Sequence, residues 1–138
     1  MLTEIISGIW IGNIQESYNE EFYNDNLIDI VINCTVDYGF LDLPKLKKIR
    51  IPITSGIDPN NDIQLLKNNM EKILNLIYEN VEENNILIIC YDGLSISALI
   101  ASLYIIKYGG YSKDNIRDIL RSKNENICLD FDLSTFII

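Results

Sequence analysis

Residues with the types and spacing for chemistry cluster in one stretch, Cys90-Tyr91-Asp92-Gly93-Leu94-Ser95-Ile96-Ser97. Just before it lies Ile86-Leu87-Ile88-Ile89, an apolar run too short for a helix and β-branched enough for a buried strand. Just after it comes an apolar segment, running to Lys107, that is long enough for a buried helix. A strand, a tight glycine-containing loop and a helix N-terminus aim several backbone N–H groups at one point. The helix dipole adds positive potential there. A cysteine in that position would sit in an anion-binding cup that favours its thiolate. The plainer reading is a small core hydrophobe at the end of a strand, the usual fate of a buried cysteine.

Composition limits what else the chain can do. Its 138 residues fit one domain, 1–138, large enough for a real core. A content of 48% hydrophobic and 22% charged residues is globular rather than disordered. There is no histidine, which removes a His general base and any Ser-His-Asp triad. Cys34, Cys90 and Cys128 are far apart with no C-x-x-C spacing, which argues against a zinc site and a disulfide framework. No metal and no cofactor are expected. A formal net charge of −9 speaks against nucleic acid or an anionic membrane as partner. No apolar run nears 20 residues, and residues 1–20 lack a basic-then-apolar leader pattern. A soluble, intracellular, cytoplasmic protein is the expectation.

The elements that must position the loop follow in chain order. Residues 4–13 read as a short strand pair broken at Gly8, with Gly12-Asn13 as the turn out. Residues 15–26 read as a polar surface helix ending near Asn26. Ile28 to Cys34 is a strand apolar on both faces, as a central parallel strand should be. The loop 35–50 holds Lys45, Lys47, Lys48 and Arg50, four cations in six residues, either a solvated edge or a docking patch. Ile49 to Ile53 reads as a strand that Pro52 places at an edge. Asp62 reads as the N-cap of a helix from Ile63 to about Tyr78, with an apolar stripe at Ile63, Leu66, Met70, Ile73, Leu74 and Ile77. The helix from about Ser95 should stop at Gly109-Gly110. Ser112 reads as the cap of a short helix from Lys113 to about Ser122. The expected fold class is α/β, a central mostly parallel sheet flanked by helices.

The stretch from Cys90 to Ser97 resembles the phosphate-binding loop of the cysteine-dependent protein phosphatases, above all the small dual-specificity group. That family's pattern is His-Cys, two residues, Gly, one residue, Ser, Arg, Ser/Thr; Cys90, Gly93, Ser95 and Ser97 match it. The opening Ile5-Ile-Ser-Gly-Ile-Trp-Ile-Gly12 is similar to the family's "Ile-x-x-Gly-Leu-Tyr-Leu-Gly". The tail from Ile127 to Phe136 resembles the family's closing segment, with Leu129-Asp130 standing for Pro-Asn. The resemblance spans nearly the whole chain and implies the dual-specificity-phosphatase fold. It implies Cys90 as nucleophile, Ser97 as the hydroxyl that helps expel its sulfur, and residues 90–96 as the phosphate loop. It also implies a general-acid aspartate about thirty residues before the cysteine. Asp58, 90 − 58 = 32 positions upstream in Gly-Ile-Asp-Pro, is the match. Asp62 is the alternative, and either could be a plain turn or cap residue.

Two positions depart from the pattern. Ile89 replaces the histidine before the cysteine, and Ile96 replaces the arginine that forks onto two phosphate oxygens. Charge-stabilising arginines in phosphoryl transfer are worth on the order of 10³–10⁵ in rate. The loop's only formal charge is the negative one on Asp92. The expectation is therefore a pseudophosphatase acting as a protein-interaction module or as a competitor in phosphoprotein signalling. Its partner would be a protein, a phosphoprotein among the candidates. The alternatives are a weakly active phosphatase using Cys90 and Asp58, with Lys67, Lys107 or Arg117 as substitute cation, and a structural or assembly protein.

Overall fold

The computed structural model describes residues 2–137. Five strands form one sheet: β1 (Thr3–Ile6), β2 (Ile9–Asn13), β3 (Ile28–Asn33), β4 (Lys47–Arg50) and β5 (Asn85–Cys90). Their spatial order is β1-β2-β5-β3-β4. The β1–β2 hairpin is antiparallel, and every other pairing is parallel. The helices are α1 (Glu20–Asp25), α2 (Asp62–Asn80), α3 (Ile96–Gly109) and α4 (Ile116–Lys123). The mostly parallel, helix-flanked sheet expected from the sequence is the one observed.

A central parallel strand is buried on both faces and should read as a continuous apolar run. β5 does: each residue from Ile86 to Cys90 is at most 1% exposed. The two-residue alternation of a strand divides these side chains between two cores. Ile86, Ile88 and Cys90 join the large core shared with α2, α3 and α4. Leu87 and Ile89 join a smaller one with Val31, Ile14 and Tyr23 on the α1 side. α3 lies against the sheet and is buried along most of its length, as its largely apolar sequence requires. It ends at Gly110, whose left-handed backbone (φ 75°) supplies the expected C-terminal stop.

Several element boundaries differ from the sequence expectation. Residues 15–26 do not make one helix; a 3₁₀ turn, Glu16–Tyr18, precedes α1. Asn19 causes the break, since its side chain accepts the Phe22 N–H at 3.2 Å and starts a new helix. Nor is this helix purely polar, because Tyr23 is buried. The edge strand runs Lys47–Arg50 rather than 49–53, so three of the four clustered cations lie in the strand itself, Lys45 standing in the turn before it. Beyond Arg50, Ile51 still donates to Asn33 O, but Ile53 N–H turns back to Ile51 O at 2.8 Å around Pro52. Asp62 is not the cap of α2. Asn61 holds that position, and Asp62 is the first helical residue. Ser112 does not cap α4 either. A turn closed by Asn115 N–H on Ser112 O intervenes, and the helix begins at Ile116. At the tail a 3₁₀ turn, Leu133–Thr135, is capped by Asp132, whose side chain accepts the Ser134 N–H.

No helix among the described residues is long and apolar enough to cross a membrane.

Candidate functional site

The site is built where β5 ends and α3 begins. Between them Gly93 turns with φ +71°, a left-handed conformation that favours glycine. A Cβ there would stand 2.5 Å from Asn13 N and 2.6 Å from Gly12 C, both backbone atoms at the end of β2. The loop is thus pressed against its neighbouring strand, and only glycine fits. At its far end Leu94 O accepts the Cys128 N–H at 2.9 Å, which ties it to the tail. On its outer side the Tyr91 hydroxyl donates to Asp37 Oδ1 (2.6 Å), lies 3.0 Å from Ile53 O and accepts the Val36 N–H at 3.4 Å. Burial, followed by the hydrogen bond to Asp37, pushes the Tyr91 phenol up to about 12. Tyr91 therefore stays a neutral strut between the loop and the segments that follow β3 and β4. Tyr38 packs edge-on against it, with ring centroids 5.9 Å apart.

Inside the loop, the Cys90 and Ser97 side chains meet. The Cys90 Sγ lies 3.2 Å from Ser97 Oγ and accepts the Ser97 N–H at 3.4 Å. Both residues are buried, Cys90 at 1% and Ser97 at 0% exposure. Two of the loop's backbone donors are taken by the chain itself. Asp92 Oδ1 accepts the Leu94 N–H at 2.9 Å, the Ser95 N–H at 3.1 Å and the Ser95 hydroxyl at 3.0 Å. The same oxygen stands 3.4 Å from Cys90 Sγ. Partial burial raises the Asp92 carboxyl, but the donors from Leu94, Ser95 and Cys90 outweigh it and hold the group below its ordinary value. A carboxylate thus satisfies the loop's donors beside the sulfur.

The two departures from the family pattern are both absorbed into the apolar cores. Ile96 opens α3, is 2% exposed and packs in the large core. Ile89 is 1% exposed and packs in the smaller one, on the opposite face of the sheet from Cys90. None of the three substitute cations considered takes the arginine's place. Arg117 donates to Leu129 O and Phe131 O at 2.8 and 2.7 Å. Lys107 sits in the last turn of α3, over the Tyr108 ring and at the opposite helix end from the loop. Lys67 is exposed on α2.

Asp58 is engaged in its own loop. Its carboxylate accepts the N–H groups of Asn60 (2.9 Å) and Asn61 (3.3 Å) and the Asn61 side-chain amide (2.8 Å). Those bonds, the Asn60 N–H foremost, hold its carboxyl below the ordinary value. That is the reverse of what a proton donor at neutral pH requires. Asp62, the alternative, is buried, and its carboxylate accepts the N–H groups of Thr54 and Asp58 and the Thr54 hydroxyl. It anchors the loop that carries Asp58. The structure therefore brings Cys90, Ser97 and Asp92 together, with Tyr91 bracing them, while the Asp58 side chain bonds within its own turn. Sequence reasoning missed the filling of the cup. The signal was present, since an aspartate followed by backbone donors two and three residues on is the pattern of a side-chain-capped turn.

Comparison with known proteins agrees with this scaffold. Residues 9–138 match the family model described as dual specificity phosphatase, catalytic domain. The 123R protein of Invertebrate iridescent virus 6, named as a tyrosine phosphatase, is 25% identical over 126 residues, 91% of this chain and 81% of its own. Human DUSP28 superposes with a TM-score of 0.83 at 18% identity, covering 98% of this chain and 89% of that one. The human tyrosine phosphatase-like serine/threonine/tyrosine-interacting protein gives 0.80 at 14% identity, covering 98% of this chain and 92% of its own. With residues 9–138, nearly the whole sequence, on the family model, the chain belongs to the dual specificity phosphatase family.

Proposed function

We propose that this protein is a catalytically silent member of its family, a pseudophosphatase that acts by binding another protein. The observation that carries the reading is Asp92 in the anion cup, with a carboxylate oxygen on the Leu94 and Ser95 donors. A phosphoryl group would have to displace that carboxylate without help from an arginine, because the arginine position is a buried isoleucine. Hydrogen bonds to charged groups contribute roughly 1.5–3 kcal/mol each, so the displacement is opposed before any chemistry begins. The partner is accordingly a protein held by surface contacts. A phosphoprotein engaged through the loop is the less favoured form of the same idea. All three cysteines are free, which fits a reducing compartment such as the cytoplasm.

A second reading has its own support. The Cys90–Ser97 contact at 3.2 Å is retained, and it is what a weak phosphatase would need to expel the sulfur from a thiophosphate. Turnover of a small aryl phosphate separates the two readings. Hydrolysis should stay at background, and Cys90→Ser should leave it unchanged. A rate above background that Cys90→Ser abolishes supports the weak phosphatase and rejects the silent one.

A further inference from the structure

The four clustered cations, which the loop chemistry does not use, lie on or just before an open sheet edge, Lys47, Lys48 and Arg50 in β4 and Lys45 in the turn that leads into it. β4 pairs only with β3 and is the last strand of the sheet. Ile51 N–H donates to Asn33 O on β3. Parallel ladders alternate every second residue, so Ile49 also faces β3, and the N–H and C=O groups of Lys48 and Arg50 face outward. Such a row of free donors and acceptors is a template for a further strand.

Side chains alternate across the same strand. On the α2 face, Ile49, Ile51, Leu65 and Leu76 line an apolar groove of ≈ 240 Å³, with the exposed Lys72 at its border. On the other face Arg50 lies 4.9 Å above the Phe40 ring and donates to Thr35 O at 2.7 Å, so its charge is held in place. Lys48 shares that face and meets only the fully exposed Asp42, at 3.9 Å, a pairing worth little. Lys45, Lys47 and Lys72 have no acidic partner within ion-pair distance among the described residues.

We infer that the β4 edge and its groove receive an extended acidic segment of a partner protein, added to the sheet as a sixth strand. The added strand would place apolar side chains in the groove on the α2 face and Asp or Glu toward Lys48 and Arg50 on the other. Lysines on an edge strand also serve simply to keep strands from pairing. A guard of that kind needs charge, but it does not need an apolar trench along its edge. The same charges disfavour a second copy of this chain, because antiparallel β4–β4 pairing would set lysine against lysine. The inference holds whether or not the cysteine loop turns over phosphate.

The test uses the full chain and a labelled, end-capped peptide of about ten residues, long enough for one strand, in which Glu alternates with Val. Two controls accompany it: a peptide of equal composition with the Glu and Val residues in separate blocks, and the alternating peptide N-methylated at every second amide. Binding is read by fluorescence anisotropy and by amide shifts in the isotope-labelled protein. The alternating peptide should bind, shift the Lys48 and Arg50 amides and outcompete both controls. Lys47→Glu/Lys48→Glu should weaken it by about tenfold or more, reversing rim charges in an electrostatically complementary interface. The inference is overturned if the alternating peptide binds no better than either control, or if the double variant binds it equally well. It is also overturned if sedimentation shows a dimer that this double variant dissolves, since the edge would then serve a second copy. The N-methylated control keeps the test decisive even if the double variant misfolds.

Discussion

At the scale of single residues, the site has changed its charge while keeping its shape. Cys90 meets Ser97, Gly93 turns against β2, and the Leu94 and Ser95 N–H groups are bonded to the loop's own Asp92. Where the family pattern has an arginine, Ile96 is a core side chain at 2% exposure. Reversal should therefore be asymmetric. Ile96→Arg alone is expected to destabilise the protein by about 3–5 kcal/mol, since it forces an unpaired charge into an apolar core. It should confer no turnover, because Asp92 still holds the donors. Adding Asp92→Ala should give the guanidinium an open pocket to serve, seen as vanadate binding by calorimetry alongside urea unfolding. An Ile96→Arg protein that is as stable as the parent and already hydrolyses aryl phosphate would mean that Ile96 is not core and Asp92 is no obstacle.

At the scale of elements, the loop is held by its neighbours as much as by its own sequence. Gly93 stands against the backbone of β2, so Gly93→Ala must both strain φ and push on Gly12 and Asn13. Strain of the φ kind alone costs of order 1–3 kcal/mol. The variant should melt several degrees lower, and its loss should exceed that of an alanine at Gly56, where a Cβ meets nothing. Equal melting of the two variants would contradict the close approach drawn here. These elements were legible in the sequence to the extent that burial writes a pattern. The apolar run of β5, the stripe of α2 and the Gly110 stop on α3 all fell where periodicity placed them. Polar capping was less legible. Asp62 and Ser112 have the side chains of caps, but an oxygen bonds whichever donors the fold brings near. For Asp62 those are Thr54 and Asp58, eight and four residues back. Asp92 was readable from sequence as a negative charge in the loop. Its turn toward the donors of Leu94 and Ser95 follows the side-chain-capped-turn pattern, an aspartate with backbone donors two and three residues on, which the spacing does carry.

At the scale of the whole molecule, the fields around the family scaffold oppose phosphate. A net charge of −9 repels phosphorylated ligands at long range, and its main positive concentration lies on the β4 edge. The fold also has no need of a ligand at the loop. Buried donors left empty would be costly, and Asp92 satisfies Leu94 and Ser95 without any bound anion. A scaffold stable with its cup closed can keep the family's architecture and use its outer surfaces for binding. The most direct measurement follows the amide resonances of Leu94 and Ser95 in isotope-labelled protein during titration with orthovanadate. The account predicts that they do not move in the native protein and shift saturably in Asp92→Ala. Saturable shifts of both amides in the native protein, at concentrations no higher than Asp92→Ala requires, would contradict it.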